Sequence, residues 1–313
     1  MSARIDPGTA KTEQWPATVS RIAVGVGGYP EGKDAVVLAA AIARATQAEL
    51  MLVAVHPYPL VVLPEEMNWT SLEKQAATML AEVRDSLAPD ARMVVETDLS
   101  VPRALERVVR REHRDLLVVG SSRHGPDGRV RIGKRSRQLL CHFKCALAIA
   151  PRGMHSRPLQ ELRRIGVGYD GGPESEAALS LAGSIAGAAG AELHLCGVVD
   201  DRLPSIGWSA LATGGAAVPR WEDAVLAQTA LLRELALDRT KGIAANTHAE
   251  ILRGRPADAL LKLSAETDLL AIGSRRWGAV ARLLLGSTGE ALAHDAACPL
   301  LVVPRLAGLK LHP

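Results

Sequence analysis

This chain carries one sequence twice. RIAVGVGGYPEGKDAVVLAAAIA from Arg21 aligns with RIGVGYDGGPESEAALSLAGSIA from Arg164, placing Gly25 against Gly168 and Pro30 against Pro173, each 143 residues apart (168 − 25; 173 − 30). Further on, DLLVVGSSR from Asp115 matches DLLAIGSRR from Asp268, and CALAIAP from Cys145 matches CPLLVVP from Cys298, now 153 apart (268 − 115; 298 − 145). Internal repetition of this kind means copies of one structural unit, and 313 residues accommodate two units of the commonest domain size. The second copy holds a net insertion of ten residues (153 − 143), placed most naturally between Asp201 and Trp221, where Gly and Pro mark a long loop.

Within each copy, apolar runs of strand length alternate with Ala-rich segments of helical length. The first copy offers IAVGV, LMLVAV, RMVVE, LLVV and ALAIA; the second offers IGVGY, LHLCGV, HAEIL, LLAI and LLVV. Apolar runs without polar alternation belong to strands buried on both faces. Strands alternating with helices imply right-handed crossovers and a parallel sheet with helices on both sides. The predicted fold is therefore α/β: two tandem, doubly wound, five-stranded parallel-sheet domains of Rossmann-like type. The expected layout is a disordered tail over 1–19, a first domain over 20–151, a linker over 152–163 and a second domain over 164–305.

Composition removes several function classes. The net charge of +3 gives no field for a polyanion, so nucleic acid is not an expected partner. The N-terminal stretch lacks the apolar core of a secretory signal, and no apolar run reaches the roughly 18 residues of a membrane span. A cytoplasmic protein is expected. Cys141, Cys145, Cys196 and Cys298 form no CxxC pair, and Cys145 leads into an apolar strand where small buried cysteines are common, so no metal is expected there.

In open sheets of this kind, ligands bind beyond the carboxyl ends of the strands at the switch in strand order. After its first strand the second copy has Tyr169, Asp170, Gly171 and Gly172; after its fourth it has GSRRWGAVARLLLGST, from Gly273 to Thr288. Glycines admit close backbone approach, and amides at a helix start suit phosphate oxygens. The hydroxyls of Ser287 and Thr288 either cap the helix EALAHDAA or donate to an anion, and capping is the commoner use.

These motifs resemble the universal stress protein family, whose ATP-binding members carry an Asp after the first strand and Gly-x2-Gly-x9-Gly-Ser/Thr after the fourth. The resemblance covers both copies and implies ATP, with Mg2+ as a possible companion, held mainly by the second. It implies that Asp170 faces the ribose, that Gly168 and Tyr169 line the nucleotide's edge, and that Val198 offers its backbone to adenine. Gly273 and Ser274 would open a phosphate loop that Gly286, Ser287 and Thr288 close. Gly254 and Pro256 match the family's Gly-x-Pro turn. Arg276 replaces the second glycine, and either pairs with a phosphate, obstructs it or lies in solvent. The family dimerises through its last strand, so ALAIAP and LLVVP are expected to meet within the chain; a protein partner and a further homodimer stay open.

The first copy departs further: Gly27 replaces the Asp, Arg123 the second glycine and Lys134 the closing hydroxyl. It is expected to be a packing partner with a degenerate motif. Its basic run, Arg129, Arg131, Lys134, Arg135 and Arg137, either binds an anion or an acidic partner or, as is commoner for such runs, forms a solvated helix face. Glu31, Asp34 and Glu174 near helix starts suit the helix dipole. No nucleophile with a base and an orienting group is evident; His124 and His294 stand alone, and His56 lies near the first crevice without an evident partner. The expectation is a binding module for the stress response, with a non-nucleotide scaffold and a slow ATP hydrolase as alternatives.

Overall fold

The structure, a computed structural model, describes residues 18–56, 69–142, 145–201, 217–243, 246–277 and 282–304. The first half runs β1 (Arg21–Val26), α1 (Pro30–Thr46), β2 (Glu49–His56), α2 (Trp69–Leu87), β3 (Arg92–Thr97), α3 (Val101–Arg111), β4 (Leu116–Gly120), α4 (Lys134–His142) and β5 (Ala146–Ala150). The second runs β6 (Arg164–Tyr169), α5 (Pro173–Ala189), β7 (Glu192–Val199), α6 (Ala217–Thr240), β8 (Thr247–Arg253), α7 (Pro256–Ser264), β9 (Leu269–Trp277), β10 (Arg282–Leu284), α8 (Ser287–Asp295) and β11 (Leu300–Pro304). Every strand expected from an apolar run is present. The region from Asp201 to Trp221 is not all loop, because α6 begins at Ala217; residues 202–216 lie outside the described residues.

Local chemistry sets the helix boundaries. Pro30 and Pro173 open α1 and α5, where the missing N–H is one that no helical carbonyl would have accepted. Gly190 ends α5 at φ 64°, in the left-handed region that glycine enters without a Cβ clash. Asp115 and Asp268 then clip each sheet together. One oxygen of Asp115 accepts the amides of Ser20 (3.0 Å) and Arg21 (2.8 Å), and one of Asp268 accepts those of Arg163 (2.8 Å) and Arg164 (2.9 Å). The repeated Asp-Leu-Leu thus ties the start of each fourth strand to the start of the first.

The strands form one sheet in the order β3-β2-β1-β4-β5-β11-β9-β6-β7-β8, with β10 paired only to β9. Within each half the main strands are parallel, and the order reverses between β1 and β4 and between β6 and β9. The halves join where β5 and β11 pair antiparallel, Leu300 with Ile149, Leu301 with Ala148 and Val302 with Leu147. Apolar layers cover both faces and pass through both halves: α1, α2, α5 and α6 pack on one, and α3, α4, α7 and α8 on the other. Strands in the middle of such a sandwich meet no solvent, which is why their sequences do not alternate.

Two expectations about side chains are corrected and a third is extended. Asp34, expected as a carboxylate near a helix start that suits the helix dipole, serves a long-range contact instead. It is fully buried and accepts the amides of Gly153 (2.9 Å) and His155 (2.7 Å) and pairs with His155 Nδ1 (2.6 Å), latching the short 3-10 turn Met154–Ser156 onto α1. The basic run is exposed at all five positions, and two of its members also reach the other half. Arg129 donates to Asp295 O (2.7 Å) and Arg137 to Glu290 Oε1, both on α8 of the other half, while the amides of Val130 and Ile132 donate to Ala296 O and Ala293 O (both 2.8 Å). His56 has a partner: it is buried with Nε2 2.8 Å from the hydroxyl of Thr97.

The latch generates a test. The repeat-equivalent of Asp34 is Ala177 (34 + 143), so the fold of a half does not itself require a carboxylate there. Asp34→Ala strands two amides beside a buried gap and is expected to lower the unfolding free energy by about 3 kcal/mol, measured by urea denaturation. A variant as stable as the parent would show that the latch carries no load.

Candidate functional site

A crevice of about 590 Å³ lies beyond the carboxyl ends of β6, β7 and β9, at the reversal in strand order of the second half. That volume falls among small-molecule pockets, which span about 300–1,000 Å³. Its inner wall is apolar, formed by Cys196, Val198, Leu260 and Ile272; its mouth is polar, with Asp170, Glu174, Asp200, Gln228 and Arg255.

Three helix starts border it. α5 contributes Glu174 and Ser175, α7 contributes Pro256 and Ala257, and α8 contributes Ser287, Thr288 and Gly289. At none does the N-cap residue cap the helix with its own side chain: these residues are Gly172, Arg255 and Gly286. The capping use of Ser287 and Thr288 is thereby corrected. Gly286 occupies the cap position in extended conformation, accepting the Glu290 amide at 2.8 Å, and the two hydroxyls sit in the first turn. Helix starts present amides and partial positive charge, which suits an anion.

Asp170 leaves β6 and turns the chain. Its Oδ1 accepts the Gly172 amide (2.9 Å), and Gly171 between them stands at φ 76°. The carboxylate is thus oriented at the mouth by a turn that needs Asp and Gly in this order. Tyr169 is buried, and its hydroxyl donates to Glu176 Oε1 (2.5 Å), which also accepts from Arg239 (3.0 Å). Burial, then the Glu176 contact, pushes the phenol well above its ordinary range, so it stays protonated. Burial likewise pushes the Cys196 thiol up to about 11, which removes the crevice's cysteine as a thiolate nucleophile at neutral pH.

Among the expected site residues, Gly168, Tyr169, Asp170, Val198, Gly273, Gly286, Ser287 and Thr288 all border the crevice. Three do not. Ser274 is buried in β9, where its hydroxyl donates to Val303 O (3.4 Å), toward β11. Gly254 shapes the turn into α7 at φ 125°, its amide donating to Val199 O (3.0 Å). Arg276 lies on β9 opposite Leu283 of β10, and its side chain is outside the described residues. Between Gly273 and Thr288, where a phosphate loop was expected, β9 thus continues to Trp277 and pairs antiparallel with β10.

Glycine here answers to packing as well as to ligand. A Cβ on Gly273 would stand 2.4 Å from the Glu174 backbone, and one on Gly120 would stand 2.0 Å from the backbone oxygen of Glu31, the equivalent residue. Both fourth strands pass so close to the start of the first helix that only glycine fits. Gly168 is similarly pressed by Leu260, at 2.8 Å.

Several lining residues escaped the sequence reading. Asp200 directly follows β7 and Arg255 lies between Gly254 and Pro256, so strand-end position marked both; Gln228, far away on α6, carried no local signal. In the first half the corresponding mouth differs. Arg123 stands 5.4 Å above the Tyr29 ring, joining the loops after β4 and β1. Tyr29 is replaced by Gly172 in the second copy (29 + 143).

The sequence model of the universal stress protein family matches residues 18–151 and again 161–304. A universal stress protein of Mycobacterium bovis is 25% identical over 294 residues, covering 90% of this chain and 96% of its own. One from Mycobacterium tuberculosis is 30% identical over 194 residues, 60% of each chain. The crystal structure of a universal stress protein from Archaeoglobus fulgidus is similar in fold, with a TM-score of 0.64 at 17% identity, over 92% of this chain and 99% of that one.

The glycine geometry predicts that Gly273→Ala destabilises the second half by about 2 kcal/mol or more through backbone clash, in the absence of any ligand. Gly120→Ala should do the same in the first. Unfolding curves unaltered by either substitution would remove the packing explanation.

Proposed function

The chain belongs to the universal stress protein family, and from that premise and the crevice we propose that it is a cytoplasmic, ATP-binding regulator of the stress response whose second half holds the nucleotide. The observation that carries the reading is the convergence of three helix starts on one crevice with an apolar inner wall. An apolar wall suits a purine, and exposed amides suit phosphates. The two units of this reading are residues 20–151 and 164–305, joined by 152–163 after a tail of 1–19.

On this reading Val198 meets the adenine through its backbone, Asp170 meets the ribose, and Gly286, Ser287 and Thr288 meet the phosphates. Arg276 contributes a cation to the phosphates from β9. Asp170, Glu174 and Asp200 put negative charge at the same mouth, so Mg2+ is needed to offset triphosphate repulsion and binding depends on it. The first half acts as a packing partner. Its sequence lacks the Asp and the closing hydroxyl, and Arg123 lies over the Tyr29 ring between the loops after β4 and β1. Its basic loop instead holds the far end of α8, the helix whose start borders the crevice. Regulation then passes to a protein partner through the nucleotide-bound form.

The test is thermal unfolding of the full chain with ATP, with and without Mg2+, beside mass spectrometry of nucleotide retained on purification. ATP with Mg2+ is expected to raise Tm in a concentration-dependent way. Ser287→Ala/Thr288→Ala should weaken binding about tenfold or more, since two hydrogen bonds at about 1 kcal/mol each are lost. No retained nucleotide and no shift at millimolar ATP with Mg2+ would leave the scaffold reading instead.

A further inference from the structure

We propose that Glu192, His194 and His248 bind a transition-metal dication of the zinc class, at the end of the second half opposite the crevice. Glu192 and His194 lie two apart on β7 and so project from one face. His248 is the register partner of His194 on β8, and the two rings lie 5.2 Å apart between centroids. One ligand atom from each of the three falls within 4.8 Å of the others, and His194 Nε2 is 3.3 Å from Glu192 Oε2.

Two imidazoles and a carboxylate are a zinc donor set that leaves a fourth position for water. Metal bonds of about 2.0–2.1 Å in tetrahedral geometry hold ligand atoms about 3.3 Å apart. The His194–Glu192 pair already has that spacing, and rotation of the exposed His248 side chain closes the rest. Hard cations such as Mg2+ prefer all-oxygen shells and are disfavoured by the two nitrogens.

The repeat supplies an internal control. The register pair equivalent to His194 and His248 in the first half is Met51 with Arg92, and Met51 is fully buried. The fold is thus satisfied by an apolar side chain at this place, and Glu49, the equivalent of Glu192, is instead paired with the buried Arg114 (3.1 Å). Packing does not call for two histidines beside a glutamate; a shared cation accounts for them. Arg164 Nε, 3.6 Å from Glu192 Oε2, is a cation already attracted to the same carboxylate. Glu250, two residues along β8 from His248 on the same face, adds negative charge near the site. A bound metal would staple the outermost strand, β8, to β7.

The experiment uses the full chain, treated with chelator and free of nucleotide, so it stands apart from the ATP reading. Zn2+ is titrated by calorimetry and Co2+ by visible absorption. The expected result is one equivalent of Zn2+ per chain, a rise in Tm, no competition from Mg2+, and a Co2+ ligand-field band of four-coordinate intensity. His248→Ala, at an exposed position, and His194→Gln should each weaken Zn2+ binding by about tenfold or more and abolish the Co2+ band while circular dichroism stays native. Failure of the parent to bind Zn2+ overturns the proposal, as does undiminished binding by a folded His248→Ala.

Discussion

The structure depends on the pairing of two sheet edges that neither half could leave open. β5 and β11 are the most apolar strands, buried along their whole length, and an exposed apolar edge is a template for aggregation. The chain resolves this by setting one against the other. Ala148 and Leu301, equivalent residues of the two copies (148 + 153), face each other, and the pairs on either side exchange equivalent positions. That reciprocity is what an antiparallel contact between two copies about a twofold axis produces. It merges two five-strand cores into one, and it leaves β3 and β8 as the outer edges of the main sheet.

From that junction the two halves acquire different work. The segment after β4 donates amides and Arg129 to the carbonyl end of α8, where cationic and donor groups complement the helix dipole. The start of the same helix opens on the crevice. In return β10, the strand added by the hairpin after β9, packs against α4 of the first half. The first copy thus helps to hold in place the helix whose start borders the crevice of the second. The Asp34 latch fixes the linker across this arrangement, and the equivalent position in the second half, Ala177, carries no carboxylate.

Legibility in the sequence followed the range of the interaction. The strands were legible because burial on both faces imprints a continuous apolar run. The position of the crevice was legible because it follows from strand order, and Asp170 and Gly286 could be placed from spacing. The roles were less so. Asp34 reads as a helix-start carboxylate because its partners, Gly153 and His155, lie more than a hundred residues away. Ser287 reads as a cap until the extended backbone of Gly286 takes that place. Gly273 carries a packing demand and a ligand-approach demand that no local pattern separates.

By itself the sequence determined that the unit is an α/β domain, that it occurs twice, and where along each copy a ligand crevice must fall, because these rest on periodicity and chain order. Tertiary structure decided how the copies meet, that a basic run serves the other copy's helix, and that Glu192, His194 and His248 share one face. Those facts need strand register and side-chain direction across long separations, and a linear pattern contains neither.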